Sequence, residues 1–325
     1  MKNFNKCISA SAPGKCILFG EHAVVYGHPA IALGINLRSR CRIEEISDDK
    51  IELNLKNFNK YFKFKNFTQF INDIPAEFSH IKNGVQMISK LIENPIKKIR
   101  ITLSSSIIPA SGLGSSASIA VAMISAFNEF YQLNLNKSKI SEFAFEMEKF
   151  IHLTPSGIDN TTCTFGNIIY FKKKRFELLN IPEDFHIILT YTGIEHQTSQ
   201  AITKIKKIIT KYPEITDQIF SSIGKITDKA RIELTKNNFI NVGLLMKINQ
   251  GLLSALGVSN SIISQINDIA LNAGAFGSKL TGAGLGGHVI SIGTDLKKIA
   301  KELNKNGFKT FIVKIDRIGA KIDEQ

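Results

Sequence analysis

The sequence predicts an α+β chain of two lobes, each a sheet carrying helices. Three observations lead there. Short apolar segments broken by glycine and proline fill residues 7–45, a Gly/Ser loop at 109–117 runs into residues with helical apolar spacing, and the last third alternates helix and strand signals.

In order along the chain, ISASAPGKCILFGEHAVVYGHPAIALGINL reads as strands joined by tight turns. Residues 46–75, rich in Lys, Asn and Phe with weak alternation, read as a strand pair and a surface loop. A helix is expected near 77–93 and a strand at 99–103. After the Gly/Ser loop, Ala117, Ala120, Val121, Ile124 and Phe127 recur at the period of a well-packed helix. A second helix over about 138–151 places Ile140, Phe143, Ala144, Met147 and Ile151 on one face. Strands are expected at 167–171 and 186–191, followed by three or four helices between 197 and 273. The tail reads helix, KLTGAGLGGHVISI, helix (296–306), strand (310–315). The lobes divide as residues 1–180 and 181–325.

At 325 residues and 43% hydrophobic, the chain can bury a core without disulfides or a structural metal. Its four cysteines contain no C-x-x-C pair, which argues against a zinc ribbon or a disulfide scaffold and for a reducing cytoplasm. No secretory signal is expected, and no stretch approaches the ~20 apolar residues of a membrane span, so no membrane partner is expected. The formal charge is +13, yet only seven of the 41 basic residues are arginine. The runs Lys172-Lys173-Lys174-Arg175 and Lys204, Lys206, Lys207 read as solvated turns or helix faces. Without a basic stripe interleaved with aromatics, no nucleic-acid partner is expected, and the charge favours anionic ligands in general.

Three glycine-rich segments concentrate the polar chemistry. The central one, Pro109-Ala110-Ser111-Gly112-Leu113-Gly114-Ser115-Ser116-Ala117, directly precedes a helix. Glycines let backbone approach a ligand, and the helix start offers unpaired N–H groups at a positive dipole end, so the loop suits a phosphate. Taken alone it reads equally as a glycine turn with Ser115 as an N-cap. A P-loop would need a lysine that is missing. A dinucleotide fingerprint would need an acidic residue ~20 positions later, where this chain reads NLNKSKISE.

The first segment packs Lys15, Glu21 and His22 into eight residues bounded by turn formers, and these are either site groups or loop polars. The third, at 279–287, has four glycines in six residues and is either a second backbone cradle or a strained hairpin. Two carboxylates complete the set. Glu148 lies at the edge of its helix's apolar stripe, within reach of a metal or an ion pair. Asp159 lies in the turn Thr154-Pro155-Ser156-Gly157-Ile158-Asp159-Asn160, where capping the next element is the simpler reading.

Taken in order, APGKCILFGEHAVVYGHPAIA, PASGLGSSASIAVA, the E-x10-D spacing ending in PSGIDN, and KLTGAGLGG resemble the GHMP small-molecule kinases over nearly the whole chain. LFGEHAVVYG and GLLMKINQGLLSALGVSN resemble the archaeal and bacterial branch whose acceptor is mevalonate. The resemblance implies an N-terminal lobe like ribosomal protein S5 domain 2, a C-terminal ferredoxin-like lobe, and a cleft between them for ATP and mevalonate. It further implies that Pro109, Ser111, Gly112, Leu113, Gly114, Ser115, Ser116 and Ala117 wrap the ATP phosphates, backed by Gly282 and Gly284. Ser116 and Glu148 would hold Mg²⁺, a hard cation that prefers oxygen ligands. Asp159 would receive the proton of the C5 hydroxyl and Lys15 would stabilise Asp159 and the phosphoryl group. Glu21, His22, His196, Thr198 and Thr281 would line the mevalonate pocket. A homodimer is compatible with the resemblance.

Three positions depart from the family pattern. Several relatives carry arginine or lysine where His196 stands, and neutral imidazole does not pair bidentately with a carboxylate. Leu285 interrupts a glycine run, and His288 stands where cysteine is frequent. Rival functions are a sister kinase acting on phosphomevalonate, a sugar or homoserine, a mevalonate diphosphate decarboxylase, and an RNA-binding protein built on the S5-like lobe.

Overall fold

Two long strands at the start of the chain set the frame. β1 (Cys7–Phe19) and β2 (Ala30–Glu45) pair antiparallel, and from Ala10 onward every residue of β1 is buried, so both faces of the strand are covered. Their register slips between Pro13 and Gly14 and again between Ile17 and Phe19. Proline cannot donate to a ladder, and such irregularities re-aim neighbouring side chains; Lys15 lies between the two. The computed structural model describes residues 6–93, 96–108, 111–150, 155–182, 185–195 and 198–324.

The first lobe continues through β3 (Ile51–Leu55), β4 (Lys60–Phe64), α1 (Phe67–Asp73), α2 (Ser79–Ser89), β5 (Ile99–Ser105), α3 (Ser115–Tyr131), α4 (Lys137–Glu148), α5 (Ile158–Phe165), β6 (Ile168–Lys172) and β7 (Arg175–Leu179). The second comprises β8 (His186–Tyr191), α6 (Thr198–Lys211), α7 (Pro213–Thr235), α8 (Phe239–Ala255), α9 (Ser261–Asn272), β9 (Gly277–Thr281), β10 (His288–Ile292), α10 (Leu296–Lys305) and β11 (Thr310–Lys314). A last short strand, β12 (Lys321–Ile322), follows.

The first sheet runs β12-β1-β2-β5-β3-β4, with β6 on the first residues of β2 and β7 beyond it. The second runs β11-β8-β10-β9, all antiparallel. Its fourth strand lies beside its first, and its third lies between first and second, which is the ferredoxin-like arrangement. One apolar cluster fills the first lobe, and α3 lies across β1 and β2 within it. Another fills the second lobe. A third spans both, packing Leu18, Phe19 and Ile31 of the first sheet with Ile187, Leu189 and Ile290 of the second.

Three local outcomes differ from the sequence expectations. Asp159 sits not in a turn but in the first turn of α5. The β-branched threonines there have modest helix propensity, but Thr161, Thr162 and Thr164 each donate a hydroxyl hydrogen bond to the carbonyl four residues back, at 2.6–2.7 Å, so they can be buried within a helix. The second helix ends at Glu148, and Ile151 lies outside the described residues. The basic run at 172–175 is an exposed turn, as expected, and closes the hairpin into β7 with Lys173 and Lys174 at φ 48° and 64°. Finally, β12 pairs with β1, so the end of the chain returns to the first sheet and departs from a single division at 180/181.

Candidate active site

Lys15 comes from the middle of β1 and Asp159 from the start of α5, and the two meet: Nζ lies 3.1 Å from Oδ2. Lys15 is almost completely buried, whereas Asp159 keeps a quarter of its side chain exposed. Burial alone would pull the lysine down, but the Asp159 carboxylate, with smaller contributions from Cys163 and Glu148, holds it above its ordinary value. The ammonium is therefore charged throughout the physiological range.

The central glycine loop closes over this pair. Leu113 O accepts the Lys15 amide at 2.9 Å, so the loop is stitched to β1. Gly114 has φ +72°, and a Cβ there would lie 2.7 Å from Lys15 Cγ, which leaves glycine as the only residue that fits. Gly114, not Ser115, is the N-cap of α3, and no side chain caps the helix. The first amides of a 17-residue helix are thus left to bind something else. Ser115 and Ser116 form its half-buried first turn and Ala117 is buried behind them. Pro109 lies outside the described residues.

Glu148, the last residue of α4, is buried, and its Oε2 has no partner among the described residues. Burial, then repulsion from Asp159, partly offset by Lys15, pushes its carboxyl up to about 8. An orphaned buried carboxylate close to a second carboxylate, Asp159, fits a hard divalent cation, which would supply the missing positive charge.

The third glycine segment is the hairpin loop between β9 and β10, with Thr281 opposite His288. Gly282 and Gly284 have φ +82° and +81°, and a Cβ on Gly284 would collide with the Val258 carbonyl. Lys279 and Glu21 form a completely buried ion pair, and Asn249 of α8 donates to the other Glu21 oxygen at 3.2 Å. His22, half-buried at φ +61°, sits with Nε2 3.0 Å from Ala283 O. Burial, with Lys279 nearby, pushes its imidazole down to about 4, so it is neutral at pH 7. Thr281 is fully buried; its hydroxyl accepts from Ile17 N and donates to Ile17 O, both at 2.8 Å. Glu21, His22 and Thr281 are thus brought together, with both Glu21 oxygens, His22 Nε2 and the Thr281 hydroxyl already engaged by protein. Thr198 is the half-buried first residue of α6, and His196 lies outside the described residues.

Sequence reasoning missed two features. From the sequence, Lys279 stands out only as the start of a glycine segment. The available signal is a lysine inside the buried strand GSKLT, which requires a counter-charge. The other is an apolar cavity of about 200 Å³ beside Ser115 and Ser116, walled by Leu55, Phe58, Phe78 and Ile119.

Comparison with known proteins agrees with this geometry. Residues 79–167 match the GHMP kinases N terminal domain and residues 230–309 the GHMP kinases C terminal domain. The chain is 34% identical to the mevalonate kinase of Thermococcus sibiricus over 98% of both proteins. It superposes on the crystal structure of Methanococcus jannaschii mevalonate kinase with a TM-score of 0.83 at 32% identity, covering 97% of this chain and 100% of that one. The L. major mevalonate kinase, solved in complex with R-mevalonate, gives a TM-score of 0.81 at 26% identity over 97% and 98%. With the match running through both lobes and all three glycine-rich segments, the chain belongs to the GHMP kinase family.

Proposed function

We propose that this protein transfers the γ-phosphoryl group of ATP to the C5 hydroxyl of mevalonate, giving 5-phosphomevalonate and ADP for isoprenoid precursor synthesis. The observation that carries this reading is the convergence of Lys15 and Asp159 beneath an uncapped helix start, with 143 intervening residues between them in the chain.

The loop at 111–117 presents backbone N–H groups to the phosphates, and the cavity against Phe58, Phe78 and Ile119 suits the flat apolar adenine. Ser116 and Glu148 would hold Mg²⁺, which when bound neutralises charge on the β- and γ-phosphates. Asp159, the more exposed partner of the pair, accepts the hydroxyl proton as the oxygen–phosphorus bond forms and the β–γ bridging bond breaks toward ADP. Lys15, held charged, attracts the transferring phosphoryl group and keeps Asp159 in place. Glu21 and His22, braced by Lys279, Asn249 and Ala283, form the wall on which mevalonate rests, with Thr198 contributing from the start of α6; the family resemblance adds His196 to the substrate-binding set.

The buried thiols Cys16, Cys41 and Cys163 suit a reducing cytoplasm. No described helix is long and apolar enough to cross a membrane. The test is product identification by phosphorus NMR and mass, with ATP, Mg²⁺ and a panel of acceptors. Mevalonate should yield one phosphomonoester at C5 with equimolar ADP. Turnover confined to phosphomevalonate, a sugar or homoserine would reassign the acceptor, and RNA binding without ATP turnover would overturn the kinase reading.

A further inference from the structure

The phosphate-side loop is also held from the second lobe. His288 opens β10 and is completely buried, and its Nδ1 lies 3.0 Å from Ser111 O. A carbonyl can only accept, so the imidazole carries its proton on Nδ1. Tyr191 packs against the ring with centroids 5.2 Å apart. His288 Nε2 and Ser111 Oγ are both buried without a partner among the described residues, so the Nδ1 contact is the ring's one polar tie there.

In a trans peptide the N–H points opposite to the C=O of the same plane. Drawing the Ser111 carbonyl onto His288 therefore turns the Gly112 N–H away from the second lobe. Two residues on, the Lys15 amide does the same for the Leu113–Gly114 peptide from the first lobe. Two carbonyls of one short loop are thus pinned to two different lobes, and the amide of each peptide points away from its carbonyl's partner.

From this geometry we infer that His288 is a positioning residue for the nucleotide: by holding the Ser111 carbonyl it orients the Gly112 N–H toward a phosphate oxygen of ATP. The inference rests on the reading of 111–117 as the phosphate loop. His288→Phe keeps a ring and removes the donor, whereas His288→Asn keeps a donor at the position of Nδ1.

Loss of one such hydrogen bond should raise the KM and the calorimetric Kd for Mg·ATP about tenfold in the phenylalanine variant. The KM for mevalonate should stay within about twofold, and the asparagine variant should recover most of the ATP affinity. A purely structural role would lower melting temperature without this split between substrates. Should the phenylalanine variant fail to fold, His288→Ala takes its place against His288→Asn. Equal ATP losses with and without the donor, or no loss in either, overturn the inference. Ser116→Ala separates the two levels. If it weakens Mg·ATP binding while the donor-less variant does not, the loop reading stands and the role of His288 falls; if neither weakens binding, both fall.

Discussion

Replacing Glu148 with glutamine should stabilise the metal-free protein while abolishing its turnover. In the folded chain the carboxyl titrates near 8, against 4.5 for an ordinary glutamate, because burial and Asp159 disfavour its charge. The native state therefore binds this proton more tightly than the unfolded chain does. Its contribution is fully present below about pH 4.5 and is lost as pH rises through about 8. At about 1.4 kcal/mol per pH unit the whole window caps the effect near 5 kcal/mol, and relaxation around a site next to Lys15 reduces it to on the order of 2–3 kcal/mol. An unfolding entropy of about 2.1 cal/mol/K per residue converts that into about 3–4 °C for a chain of this length. Melts of both proteins without Mg²⁺ or ATP, at pH 5 and pH 8.5, provide the assay. The two should coincide near pH 5, and Glu148→Gln should melt higher at pH 8.5. Adding Mg·ATP should then raise the wild type by mass action and leave the variant nearly unmoved. A variant that melts lower at pH 8.5, or responds to Mg·ATP as the wild type does, would refute the assignment of Glu148 as a strained, metal-awaiting carboxylate.

Other substitutions probe the remaining parts. Lys15→Met removes the charge between two carboxylates and should lower kcat by about 10²–10³-fold in steady-state assays with little change in fold by circular dichroism. Gly114→Ala places a methyl against Lys15 at a positive φ; it should cost about 1–3 kcal/mol in denaturant titrations and raise the KM for ATP more than that for mevalonate. Glu21→Gln strands the buried Lys279 ammonium and should cost about 3–5 kcal/mol by the same titration, while Glu21→Gln/Lys279→Met should regain part of that loss.

Much of the fold was legible because its signals are local. The apolar periodicity of Ala117 to Phe127, the glycine-bounded segments before residue 45 and the alternation of the last third each mark one element at short range. What escaped was set by partners distant in the chain. The threonine-rich α5 is held as a helix by packing against α3, α4 and β1, its hydroxyls being satisfied by its own backbone within that buried layer. β12 exists only because β1 offers it an edge. The same division holds at the site. Glycines before a helix advertise a cradle locally, and both chemical side chains could be named from their motifs. The Glu21–Lys279 pair, the Thr281–Ile17 clasp and the His288–Ser111 tie each join residues 177 or more positions apart, so no window of sequence contains them.

The central claim is that Lys15 and Asp159 act together on the transferring phosphoryl group. Rapid-quench single turnover of Asp159→Asn with ATP, Mg²⁺ and mevalonate tests it most directly. The expected result is near-normal binding of both substrates with product forming about 10³-fold more slowly than in the wild type. A burst at the wild-type rate would show that the carboxylate beside Lys15 takes no part in the reaction.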